Sequence, residues 1–269
     1  MFSDKNICLL CLELYLLFMF GFLLFSCRVY SKEPGVPSTD GIVFVKGRKD
    51  AVTLIESTLK KHGESVTISY PGITAEFNRY KKNNYSDFLD ELSLHSGYYA
   101  GIISGMCISF DDSVKDSVTF QFNYMTTKKQ EKYITRKVKR IVKKYRGQST
   151  YNRIKGAHDY ITSHTVYDAN YYNPYYVFKK GKGICMSYAL AFQRILTEMK
   201  IPCIYVKGDN HAWNMVKIDG DWYGVDVTWD DSRGSYSCFL KGTGDFGGHD
   251  NSCSKVLKRI RKSKYSYKR

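Results

Sequence analysis

The sequence predicts an α+β fold. Helical-period and strand-period segments are interspersed with no internal repeat, a glycine-broken stretch opens an apolar helix at residue 185, and Asp219-Gly220 separates two strand-like runs as a hairpin signal. The 269 residues suffice for one large domain or two modest ones. At 43% apolar and 25% charged, the chain is neither a disordered tail, a collagen-like fibre nor a multi-span membrane protein. Eight cysteines are too few for a disulfide-stapled mini-domain. A formal charge of +15 calls for an anionic neighbour.

Residues 1–31 read as a signal peptide or an N-terminal membrane anchor. The run 7–26 is apolar apart from Glu13, and Lys5 supplies a thin positive flank. This predicts an exported protein, either secreted or held at the cell surface. Downstream of the leader stand Cys107, Cys185, Cys203, Cys238 and Cys253, an odd set that leaves at least one thiol free. Their pairing is open, with Cys203 and Cys238 able to pair with Cys107 or Cys253 or to stay reduced.

Residues 32–40 read as a linker, and 41–146 as a small α+β region without chemical motifs. Its expected elements are a helix over 50–61 ended by Gly63, a strand over 65–70 stopped by Pro71-Gly72 and a helix near 77–92. Strand-like runs near 98–110 and 118–124 then pair across 111–116. The run 128–146, which begins with Lys128 and ends with Arg146, is a helix with Ile134, Val138, Ile141, Val142 and Tyr145 on one stripe. It holds ten basic residues and one acid, a net +9, and the tail 255–269, from Lys255 onward, holds eight basic residues and no acid. The positive charge is therefore local. It serves either as a solvated face or as a contact for anionic membrane or cell-wall polymer; no nucleic-acid motif accompanies it, so no nucleic acid is expected.

The chemistry lies in 147–254. Gly181-Lys-Gly-Ile-Cys185 places Cys185 in the first turn of a helix continued by Ala189, Phe192, Leu196 and Met199, at the positive end of the dipole that favours a thiolate. Across Asp219-Gly220, a two-residue loop pairs residues whose numbers sum to 439, setting His211 opposite Thr228 with Asp226 as its diagonal neighbour on the same face. Cys, His and Asp supply a nucleophile, a base and an orienter. No Cys-x-x-Cys or His-x-x-x-His pair follows the leader, so neither a metal nor a cofactor is expected.

Gly-Lys-Gly-Ile-Cys185-Met-Ser-Tyr-Ala, His211-Ala-Trp-Asn and Trp222-Tyr-Gly-Val-Asp226-Val-Thr-Trp-Asp-Asp resemble, in this order, the bacterial branch of the transglutaminase-like superfamily. Ala157-His-Asp-Tyr160, Val166-Tyr-Asp168 and Phe239-Leu240 followed by His249 are similar to flanking parts of that family. The resemblance implies a papain-like, transglutaminase-core domain in which a nucleophile helix packs on an antiparallel sheet. It assigns Cys185 as nucleophile, His211 as base and Asp226 as orienter. It also implies a peptide or protein substrate, with hydrolysis or transfer of an amide acyl group to an amine through a thioester. Tyr175, ten residues before the cysteine, is a candidate oxyanion donor by the same resemblance. Trp213 and Trp229 are candidate cleft walls. His158, His164 and His249 are expected as surface or hydrogen-bonded structural histidines, and Asp230-Asp231 as a turn or cap rather than a calcium site. The alternative function is a non-catalytic module of the same fold that adheres to anionic surfaces through its basic helix and tail.

Overall fold

A computed structural model of the chain describes residues 41–82, 85–110, 114–208, 210–249 and 260–268. The leader, the linker and Cys253 lie outside them, as do residues 255–259 and 269 of the basic tail. Among the described residues no helix is long and apolar enough to cross a membrane.

The first unit is a four-stranded sheet in the order β1-β2-β4-β3, built from β1 (Ile42–Phe44), β2 (Ser65–Ser69), β3 (Ile103–Phe110) and β4 (Ser117–Tyr124). The expected antiparallel pairing of the last two strands is present, with Met106 opposite Phe122 and Ile108 opposite Phe120. Helix α1 (Arg48–Lys60) buries Ala51, Ile55 and Leu59 on this sheet beside Ile68, Phe77, Phe88 and Phe120. The single helix expected near 77–92 is two helices, α2 (Ile73–Lys81) and α3 (Ser86–Ser96). Tyr85, just before α3, has a φ of 60°, a left-handed turn that no continuous helix accommodates. Residues 98–101 are likewise a helical turn, α4 (Tyr98–Gly101), rather than the start of a strand.

Helix α5 (Lys128–Lys143) opens on a capping box, the Thr127 hydroxyl accepting from the Gln130 backbone while the Gln130 side chain accepts from Thr127 N–H. Its buried residues, Ile134, Val138 and Ile141, enter the same core as Ile154, Phe192, Ile195 and Val216. The basic helix, grouped by sequence with 41–146, therefore packs with the following unit, because its apolar stripe has its partners there.

That unit adds α6 (Thr150–His164), α7 (Pro174–Lys180), α8 (Cys185–Glu198) and α9 (Val227–Arg233). Two short strands, β5 (Val166–Tyr167) and β6 (Lys182–Gly183), pair in parallel, and β7 (Cys203–Lys207), β8 (Ala212–Ile218) and β9 (Asp221–Val225) form an antiparallel sheet with β8 in the centre. The fold is α+β, with α8 packed on this sheet. Every residue of α8 from Ser187 to Leu196 is buried. The two units meet where Tyr98, Ile102 and Leu190 cluster with Tyr99, Met186 and Tyr205. Buried Arg194 lies over the Tyr98 ring there and pairs with Glu198 at 3.0 Å.

Candidate active site

Three local devices set the nucleophile helix. Gly181 closes α7 at a φ of 64°, a left-handed conformation that suits glycine. Gly183 passes so close to its neighbours that a Cβ would stand 2.7 Å from Ser187 Cβ and 2.9 Å from Val177 Cγ2. The Tyr171 carbonyl then accepts from Ile184 N–H at 3.2 Å and from the Ser187 hydroxyl at 2.9 Å, fixing both sides of Cys185. Ile184 is the extended N-cap and provides no side-chain cap, so Cys185 begins the helix with the first-turn N–H groups beside its sulfur.

The hairpin holds the expected register from Ile218–Asp221 to Asn214–Val225. Its turn residues Asp219 and Gly220 have φ of 50° and 92°, the positive pair a two-residue hairpin favours. The ladder ends at Val225, one step before the expected pairing would bring His211 and Asp226 into one face. Asp226 instead becomes the N-cap of α9, its Oδ1 accepting from Thr228 and Trp229 N–H at 3.0 Å each. Its Oδ2 accepts from His211 Nε2 at 2.6 Å. The two residues meet through a helix cap rather than as diagonal strand neighbours.

With Nε2 committed to Asp226, Nδ1 is the imidazole nitrogen left for the thiol, and the Cys185 side chain is close enough to act on the charge of the His211 ring. Burial alone would discharge the His211 ring, but Asp226 and the Cys185 side chain outweigh it and raise its pKa to about 9. Burial likewise works against the Asp226 charge, yet donation from His211 and His249 holds its pKa at about 2. The resulting set is an imidazolium between a buried carboxylate and a sulfur.

Aromatic rings enclose it. Trp229 stacks on His211 at 5.1 Å, and Trp213, fully buried in β8, lies 6.1 Å from the same ring. Tyr175 packs edge-on against Tyr133 and Tyr176 and borders the core of this unit. Two residues without an assigned site role from sequence also face the set. Tyr205 in β7 feels the charge of Cys185, and burial above all keeps its phenol protonated. His249 donates from Nε2 to the same Asp226 oxygen at 2.8 Å. Only the His249 position in the family pattern hinted at this contact.

His211, Asp226 and His249 are the described donors close enough to hold a metal ion, their ligand atoms lying within 4.8 Å of one another. Their separations of 2.6 and 2.8 Å are hydrogen-bond distances. A tetrahedral zinc with bonds of about 2.0–2.1 Å would hold its ligand atoms roughly 3.3 Å apart. The geometry suits shared protons.

The other polar candidates have structural partners. His158 bridges Asp159 and buried Asp230, at 3.2 and 3.0 Å, and Asp230 also accepts from Cys238 N–H at 2.7 Å. Asp231 accepts from the Tyr188 hydroxyl at 2.8 Å. Among the described residues Cys185, Cys203 and Cys238 are free thiols. Burial pushes the Cys203 and Cys238 thiols up, away from the reactive form.

Residues 121–227 match the family model of the transglutaminase-like superfamily, a span that contains Cys185, His211 and Asp226. The chain carries a transglutaminase-like domain. A structure described as a candidate cysteine protease from Cytophaga hutchinsonii shares 15% identity with it at a TM-score of 0.32, over 42% of this chain and 53% of that one. Another, described as a TGase, shares 14% identity at a TM-score of 0.35, over 73% and 55%. The chain thus spans little more than half the length of either protein, at 53% and 55%. No curated protein matches it. Helix α5 lies wholly within the transglutaminase-like match, in keeping with its packing.

Proposed function

We propose that this protein is an exported cysteine enzyme acting on peptide or protein amide bonds through a thioester. The observation that carries the reading is the 2.6 Å bond of His211 to buried Asp226, with the His211 ring raised in pKa by Asp226 and by the Cys185 side chain together. In the proposed reaction the Cys185 sulfur attacks the amide carbon and His211 protonates the leaving amine, which departs and leaves the thioester. Water or a second amine then attacks the thioester, with His211 taking the incoming proton, and the thiol is regenerated. Asp226 stays ionised throughout and holds the ring by Nε2. Cys185 opens α8, and the N–H groups of that first turn are the donors this mechanism would use for the tetrahedral oxyanion.

Two measurements test this. Brief treatment of the native protein with iodoacetamide should label Cys185 well ahead of Cys107, Cys203 and Cys238; equal rates would refute a reactive sulfur. Incubation with a casein-type protein and a labelled amine separates the outcomes, since incorporated label means acyl transfer and unlabelled fragments mean hydrolysis.

A second reading, adhesion to an anionic membrane or wall polymer, is favoured by a concavity of about 430 Å³ where the ends of α5 and α8 meet the start of α6. Lys139, Lys143, Arg146, Arg153 and Lys200 line it against one acid, Glu198, already paired with Arg194. Salt-sensitive binding to anionic vesicles that survives Cys185→Ala would support it, and binding indifferent to salt would not.

A further inference from the structure

His249 is buried and both of its ring nitrogens face oxygen acceptors. Nδ1 lies 3.0 Å from the Gly247 carbonyl and Nε2 lies 2.8 Å from Asp226 Oδ2. A neutral imidazole carries one N–H and can serve only one of them; serving both takes two. The surroundings suit a cation. Phe246 stacks on the ring at 3.6 Å with an interplanar angle of 2°, and Trp229 lies 4.4 Å away. Asp226, already bonded by His211, thereby receives a second imidazole on the same oxygen.

We propose that His249 is a positioning residue: as an imidazolium it holds the Asp226 carboxylate by the same oxygen as His211 and offsets its charge, so setting how firmly His211 keeps its proton. The inference rests on Cys185 being the nucleophile. A charged His249 shares the Asp226 carboxylate with His211, whereas without it the whole carboxylate charge acts on His211 alone. The charged groups facing His249 are Asp226 in direct contact, His211 at 6.0 Å between ring centres, and Lys241 and Lys262 across a cavity of about 210 Å³. Asp245 stands near Lys241. Both ammonium groups oppose a charge on His249, but they are part-exposed across a cavity, whereas the carboxylate is in contact and buried, and contact governs.

The test is the pH dependence of Cys185 alkylation by iodoacetate in the full chain. Attack by this anionic reagent slows when His211 loses its proton, giving an alkaline limb. His249→Gln keeps a donor to Asp226 but removes the charge, and should move that limb up by on the order of one pH unit. His249→Leu removes the donor as well and should slow alkylation at every pH by about tenfold or more, the ring of His211 being less well held. A purely structural His249 would lower stability in both variants and leave the limb where it is in the wild type, which would overturn the proposal. Nitrogen-15 spectra of the wild-type histidines decide the matter without any variant: His249 should carry two N–H protons at neutral pH, and a single one overturns the proposal. If wild-type Cys185 showed no selective alkylation, the nucleophile assignment would fall, while the nitrogen spectra would still report on His249.

Discussion

One oxygen of Asp226 holds Nε2 of His211 at 2.6 Å while the other closes the first turn of α9 through Thr228 and Trp229. A single fully buried carboxylate thus both orients the base and starts a helix. The two roles separate by substitution. Asp226→Asn keeps a capping oxygen but loses the charge that stabilises the imidazolium; kcat/KM should drop by about 10³- to 10⁴-fold, and the urea midpoint should fall only by what the charged pair with His211 contributes. Asp226→Ala should lose the activity and in addition about 1–2 kcal/mol of stability from the cap. Parallel kinetics and urea unfolding of the two variants check this.

Stability should vary with pH through the same pair. His211 is raised from 6.5 to about 9 on folding, so its contribution is fully present below about 6.5 and is lost as pH rises through about 9. Asp226 is lowered from 3.8 to about 2, so its contribution is present above 3.8 and is lost as pH falls through about 2. Urea midpoints of the wild type should therefore fall across the alkaline range. In His211→Gln that decline should flatten, and an equal slope in both proteins would contradict the assignment.

Gly183→Ala tests how tightly the nucleophile is seated. The added methyl meets Ser187 Cβ and Val177 Cγ2 at 2.7 and 2.9 Å, so the start of α8 must shift. We expect a loss of about 1–3 kcal/mol and slower alkylation of Cys185 even at temperatures where the variant is fully folded. Unchanged alkylation with reduced stability would mean that the strain relaxes away from the sulfur.

Asp230 should prove structural. Its fully buried carboxylate accepts from His158 Nε2 and Cys238 N–H, joining α6 to the segment after α9. Asp230→Ala strands both donors and should cost about 3 kcal/mol in thermal or urea unfolding. Calcium should leave the wild-type Tm unchanged, since the carboxylate oxygens already have partners.

The parts of the site legible in the sequence are those set by local chain geometry. Glycines at 181 and 183 and the apolar run after Cys185 locate that cysteine at a helix start, and Asp219-Gly220 sets a register that holds as far as Asn214–Val225. Where side chains compete with the ladder, the pattern runs out. Asp226 binds the backbone of Thr228 and Trp229, so a helix replaces the expected strand end. His249 reaches Asp226 through a loop with no periodic spacing, and Tyr205 lies in an ordinary buried strand, so nothing local marks either. The break between α2 and α3 was missed because the apolar spacing continues across it while Tyr85 turns left-handed.

Ten successive buried residues make α8 the axle of its domain, with Cys185 at its tip. Such a mounting leaves the warhead little room to drift over evolutionary time, because any tilt disturbs every layer around the shaft. A designer seeking altered selectivity should therefore leave this helix alone and begin in the loops around its start.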